Sequence, residues 1–118
     1  MGQALIAIRR QADGITTVEM RGELDVGSVQ ALRAVLADVV TKHRPQRLDV
    51  DLKYVTFMDS VGVGALVAAH TVARDAGTVL AVTNPGPFVR RLLHTLGLCE
   101  TFGVPDCAVD FSGSAPTA

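Results

Sequence analysis

Positive charge is not gathered anywhere in this chain. Its eleven Lys and Arg residues are interspersed with twelve Asp and Glu, for a formal net charge of −1, so the broad basic footprint required by a nucleic acid or an anionic lipid surface is missing. Long apolar runs are also lacking. The longest apolar-looking stretch, Val61 to Ala73, contains Gly and His and falls far short of the roughly 20 residues that span a bilayer. In Met1 to Gln11 the charges follow the apolar residues and no small-residue cleavage site is present, so this segment is not expected to be a secretory signal. Ile6 stands where a myristoylation motif needs Ser or Thr,. The expected location is therefore cytoplasmic, in a reducing compartment where the two cysteines, Cys99 and Cys107, are by default free thiols.

What is present is a chain of 118 residues, 48% of them hydrophobic, which suits one domain with a single core. Leu5 to Arg10 and Ile15 to Met20 are short β-prone runs joined by Ala12-Asp13-Gly14, a tight-turn signal, and read as a hairpin. From Val26 to Lys42 the period changes. Val29, Leu32, Val35, Leu36, Val39 and Val40 recur at helical spacing, predicting an amphipathic helix capped by Asp25 or Ser28. Arg47 to Val55 alternates Leu48, Val50 and Leu52 with Asp49, Asp51 and Lys53, as a strand with one face on a core does. A second helix is predicted from about Ser60 to Ala76, stopped by Gly77,. A buried strand over Thr78 to Val82 follows, then a third helix over Phe88 to Leu96 that begins behind Pro87 and ends at Gly97,. A last short strand is expected near Glu100 to Phe102. This order predicts an α/β domain whose mixed, mostly parallel sheet of about four to five strands carries helices packed on it. Residues 1–103 are expected to form the domain and 104–118, rich in small residues, Pro and Ser, a flexible C-terminal tail.

The segment with most chemical content is Val55 to Val67, where a strand end passes directly into a helix. Such turns at the carboxyl edge of a sheet are where α/β proteins place functional groups. Asp59 suits the N-cap, since its carboxylate can accept from first-turn amides that have no helical partner. Ser60 would then open the helix with its hydroxyl at the surface. Gly62 and Gly64 each cost about 1 kcal/mol relative to Ala inside a helix, so two in one turn call for a reason. Close packing on the sheet is one, and close approach of another backbone or a phosphate is the other. A nucleotide-phosphate loop is disfavoured, because the Walker pattern lacks its Lys-Ser/Thr and the dinucleotide pattern its third glycine. A serine hydrolase is disfavoured too, because no G-x-S-x-G elbow surrounds Ser60,.

The run Phe57-Met-Asp-Ser-Val-Gly-Val-Gly-Ala-Leu-Val-Ala-Ala-His70 resembles the signature of STAS domains of the anti-sigma factor antagonist family. Upstream, Val18-Glu-Met-Arg-Gly-Glu-Leu-Asp25 is similar to the family's strand ending in Gly-Glu-Leu-Asp. Downstream, Val79 to Phe102 resembles its last strand and third helix, so coverage runs from about Ala4 to Phe102. The resemblance implies a STAS fold and a binding module, not an enzyme, with no cofactor and no metal. It implies an anti-sigma factor partner that is also an ATP-dependent serine kinase, and a serine phosphatase that restores the binding form. Carried over residue by residue, the phosphorylation site is Ser60 and its neighbour is Asp59. Where many members have a second Ser or Thr this chain has Val61, which leaves one acceptor hydroxyl. Glu23, Asp25, Asp59, Ser60, Val61, Gly62 and Val63 are the implied partner-binding residues.

A phosphoserine carries roughly −1.5 to −2 charges. At a helix N-terminus the amides and dipole favour an anion by about 0.3 to 1 kcal/mol, whereas an interface closed over an incompletely paired charge loses several kcal/mol. Phosphate at Ser60 is thus expected to release a partner without unfolding the domain. The plainer reading of Ser60 is a first-turn serine, and that of Glu23 and Asp25 is solvated charge and helix capping. Cys99 and Cys107, eight positions apart, are either two thiols or a redox pair adding a second control, which requires their Cα atoms to lie within about 7 Å. His43, His70 and His94 have no Cys or carboxylate at metal-ligand spacing,. The alternative within the STAS fold is an accessory subunit of a transport, lipid-trafficking or sensory complex with no phosphoswitch.

Overall fold

The computed structural model describes residues 4–11 and 13–104. β1 (Ala4–Arg10) and β2 (Ile15–Leu24) form the hairpin, and α1 (Val29–Asp38) leads to β3 (Arg47–Met58). Then come α2 (Ser60–Asp75), β4 (Val79–Thr83) and α3 (Pro87–Thr95). The sheet has the order β1-β2-β3-β4, antiparallel between β1 and β2 and parallel thereafter. This is the mixed, mostly parallel sheet expected from the alternation of strand and helix periods. Two successive crossovers stepping the same way across a parallel sheet put their helices on one face, and α1 and α2 pack against each other there.

The core lies between that helical layer and the sheet. Val18, Met20, Leu48, Val50, Leu52, Leu80 and Val82 from the strands meet Leu32, Leu36, Val39, Leu66 and Leu93 from the helices. Residues of opposite parity on the strands point away from the helices. There Glu19 pairs in register with Asp51, two like charges side by side,. Arg9 and Arg21 offset the repulsion, donating to the Glu19 carboxylate at 3.0 and 2.9 Å. The Arg21 guanidinium also lies 4.3 Å above the Tyr54 ring,.

Several boundaries differ from the sequence expectation for local reasons. α1 begins at Val29, not Val26, because Asp25 folds the preceding residues into a turn. Its carbonyl accepts from Ser28 and Val29, both at 3.0 Å, and its carboxylate from the Gly27 amide at 2.9 Å. Neither expected cap acts on α1 by its side chain: the Ser28 hydroxyl donates to the Glu23 carbonyl at 2.7 Å and so ties the loop to the strand end. The helix continues as a π-type turn over Val39–His43 and stops at Arg44, in the left-handed region at φ 44°. β3 runs three residues beyond Val55, to Met58, alongside a lengthened β2 with register shifts,.

The strand expected at Glu100 to Phe102 is instead a single helical turn. The Phe102 amide donates to Leu98 at 3.1 Å, and Gly103, at φ 68°, closes the turn so that Val104 donates to Cys99 at 2.8 Å,. Phe102 still serves the sheet edge, because its carbonyl accepts from Val82 of β4 at 2.9 Å. Val104, at the start of the expected tail, is buried; the rest of that segment lies outside the described residues.

Gly62 and Gly64 separate clearly. A Cβ at Gly62 would lie 2.5 Å from the Leu24 carbonyl oxygen and 3.1 Å from Met58 Cγ, whereas one at Gly64 would meet nothing within 4 Å. Gly62→Ala is therefore expected to destabilise the domain by about 1–3 kcal/mol. Gly64→Ala should stabilise it by up to about 1 kcal/mol, both read by urea unfolding. A stable Gly62→Ala protein would show that α2 can move away from β2.

Glu19 supplies a pH-dependent term. The hydrogen bond from Arg21 holds its carboxyl below the ordinary glutamate value, with Arg9 adding to this and burial opposing it,. A carboxyl with a lowered folded value stabilises fully above the unfolded value, and that stability is lost as pH falls through the folded one. Wild type should exceed Glu19→Gln in stability at neutral pH, with the gap closing as unfolding is measured at progressively more acid pH. A gap that widens in acid would contradict the sign.

Candidate functional site

β2 and β3 run parallel to their carboxyl ends, so their last residues arrive together. Glu23 is in register with Phe57 and Leu24 with Met58, and the Asp59 amide donates to the Leu24 carbonyl at 3.3 Å. Here both chains leave the sheet, β2 into the Asp25–Ser28 turn and β3 into α2. Main-chain pairing thus places Glu23 and Asp25 beside Asp59 and Ser60, residues more than thirty positions apart in the chain.

Asp59 occupies the N-cap of α2 with extended backbone, φ −109° and ψ −174°. Its Oδ1 accepts from the Gly62 amide at 3.0 Å, and its carbonyl accepts from Val63 at 3.0 Å. The cap expected from sequence is therefore made. It takes up two first-turn donors and leaves the Ser60 and Val61 amides with no intrahelical acceptor. Ser60 is the first residue of α2 and is exposed. Among the described residues no hydrogen bond engages its hydroxyl, which is free to rotate into solvent and to meet a reagent.

The implied partner-binding residues divide by burial. Glu23, Ser60 and Val61 are exposed, and Asp25 and Asp59 are half-buried with their carboxylates at the edge. Gly62 and Val63 are buried, Val63 at 4% exposure within the core. They underlie the edge, so neither offers a side chain to a partner. The glycine that lies open to solvent is Gly64, where the helix surface is bare.

Two exposed aromatic residues at this edge were not singled out from the sequence. Phe57 and Phe88 stack with ring centroids 5.8 Å apart and an interplanar angle of 23°. The signal for Phe88 was available, because it precedes and lies off the Val89 and Leu93 stripe that α3 buries. Phe57 had no comparable signal, since its outward direction follows from the lengthened, bulged end of β3.

The remaining candidates do not converge here. His43 is exposed, and His70 is half-buried with its ring edge-on to Phe102 at 5.8 Å. Among the described residues no three His, Cys, Asp or Glu side chains are placed to hold a metal ion. No described helix is long and apolar enough to cross a membrane. Cys99 packs half-buried against the core and is not a free thiol; Cys107 lies outside the described residues.

Comparison with known proteins agrees with this architecture. The STAS-domain family profile matches residues 7–110. An anti-sigma-F factor antagonist of Mycobacterium tuberculosis is 31% identical over 90 residues, covering 76% of this chain and 72% of that one. An anti-sigma F factor antagonist of Paenibacillus polymyxa is 28% identical over 97 residues, covering 82% and 83%. The crystal structure of an anti-sigma factor antagonist from Mycobacterium paratuberculosis superposes with a TM-score of 0.72 at 28% identity, covering 92% of this chain and 93% of that one. With a four-stranded mixed sheet, the Asp-Ser cap on α2 and a profile match over most of its length, the chain belongs to the STAS-domain family.

Proposed function

We propose that this protein is a cytoplasmic anti-sigma factor antagonist. In its unphosphorylated form it binds an anti-sigma factor that is also a serine kinase, freeing the sigma factor; phosphorylation of Ser60 ends that binding. The observation that carries the reading is the Ser60 hydroxyl, exposed and without a hydrogen bond among the described residues, on the first turn of α2 at an edge shared with Glu23, Asp25 and Asp59. The relatives named as anti-sigma factor antagonists support the general role.

In the phosphorylation step the γ-phosphoryl group of ATP passes to Ser60 Oγ. The P–O bond to ADP breaks, and the hydroxyl proton leaves to a base that the kinase supplies. A serine phosphatase reverses the modification by hydrolysis, releasing inorganic phosphate. The protein itself contributes position and no catalytic group.

Phosphate at this place has two opposed effects. The unpaired Ser60 and Val61 amides and the α2 dipole favour it by about 0.3 to 1 kcal/mol. Because Asp59 already takes up the Gly62 and Val63 amides, and its carboxylate is a like charge next door, the phosphate stays at the surface. The fold is thus little perturbed, while an interface closing over the edge would bury an incompletely paired dianion beside three carboxylates. A loss of about 3 kcal/mol there corresponds to roughly a hundredfold in affinity.

Incubation with the anti-sigma factor kinase and ATP should add one phosphate, located at Ser60 by mass spectrometry, with none added to Ser60→Ala. Ser60→Asp should bind that kinase roughly a hundredfold more weakly than wild type by calorimetry and keep the wild-type thermal midpoint within a few degrees. Phosphate at another residue, or undiminished labelling of Ser60→Ala, overturns the assignment.

A further inference from the structure

Among the described residues, four of the ten exposed large apolar side chains lie at the Ser60 edge, while the others, such as Ile8, Val72 and Val79, are spread over other parts of the surface. Val26 is 71% exposed, Phe57 40%, Val61 40% and Phe88 52%. Val26 follows Asp25 in the turn after β2, Phe57 is in register with Glu23, and Val61 follows Ser60. Phe88 reaches the same edge from α3 by stacking on Phe57.

Core packing does not account for the aromatic pair. α3 buries Val89 and Leu93 and holds its place through them, and Phe88 lies off that stripe. Two rings stacked on each other are held in position, so a partner that covers them has little side-chain freedom left to quench. Ordered, partly exposed aromatic residues beside a polar rim are the composition from which interface hot spots are drawn.

The surroundings identify the occupant. Glu23, Asp25 and Asp59 make the strand-end side of the patch acidic, so the complementary surface carries Lys or Arg around an apolar side chain. The patch is also continuous with Ser60 through the Glu23–Phe57 pairing, and a protein that closes over Ser60 meets these rings.

Resting on the reading of Ser60 as the switch, we propose that Phe57 and Phe88 form the apolar anchor for the anti-sigma factor kinase. They receive an aliphatic or aromatic side chain projecting from a basic surface of that partner. Binding then has two separable parts, an apolar one at the stacked rings and an electrostatic one at the acidic edge. Phosphate at Ser60 leaves the rings themselves unaltered and opposes closure at the edge through its bulk and the cost of desolvating a dianion there, not through repulsion from the basic partner.

The test titrates a purified anti-sigma factor carrying a serine-kinase domain, from the same organism, against the labelled full chain at low and high salt. Phe88→Ala should weaken binding by about thirtyfold, by the same factor at both salt concentrations. Phe88→Leu should recover most of the affinity, and Phe88→Gln, polar at the same half-exposed position, should match the alanine variant. Glu23→Gln should show a smaller loss that disappears at high salt. Wild-type affinity in Phe88→Ala or Phe88→Gln overturns the anchor and leaves the Ser60 reading standing. A wild-type chain that does not bind the kinase at either salt concentration overturns both.

Discussion

The start of α2 is joined to the carboxyl end of β2 through one close backbone contact, and the rest of the edge is built around it. Asp59 donates its amide to the Leu24 carbonyl, and one helical turn later Gly62 passes so near that oxygen that a Cβ would lie 2.5 Å from it. That approach holds the start of α2 against β2. The β2–β3 register brings Glu23 and Asp25 to this end of the sheet, and this approach sets how closely the first turn of α2 lies against them. The carboxylate of Asp59 then occupies the Gly62 amide, so the residue that makes the contact possible is also the one that receives the cap.

The two faces of the sheet serve different ends. The helical face supplies the core, filled mainly by Leu, Val and Met, with Phe102 the one fully buried aromatic ring among the described residues. The opposite face carries Glu19 and Asp51 side by side, an arrangement that stands because Arg9 and Arg21 reach over Glu19. Stability therefore draws on charge balance at the middle of the sheet. The edge bearing Ser60 is held by main-chain bonds and the Asp59 cap, apart from either layer.

Most of the architecture was legible because its signals are local or periodic. Leu48, Val50 and Leu52 alternate as a half-buried strand must, and Gly77 and Gly97, with positive φ, end α2 and α3 where expected. The misreadings fall where a tertiary contact or a short turn overrides such signals. Val26 looked like the start of α1 until the Asp25 turn consumed it. The run Glu100 to Phe102 is too short to distinguish a strand from the helical turn that Gly103 closes.

The sequence alone determined the family, the order of strands and helices as far as α3, the Asp59 cap and the single candidate hydroxyl at Ser60. All of these depend on residue type and on spacing within one segment. Tertiary structure decided what spacing cannot express: that Gly62 is required by the Leu24 carbonyl while Gly64 faces open space, and that Val63 belongs to the core. It also brought Phe57 and Phe88, thirty-one positions apart, into a stack beside Ser60. The reason is physical: such contacts arise between chain segments joined only through strand register and helix packing, and no local propensity encodes the distance between them.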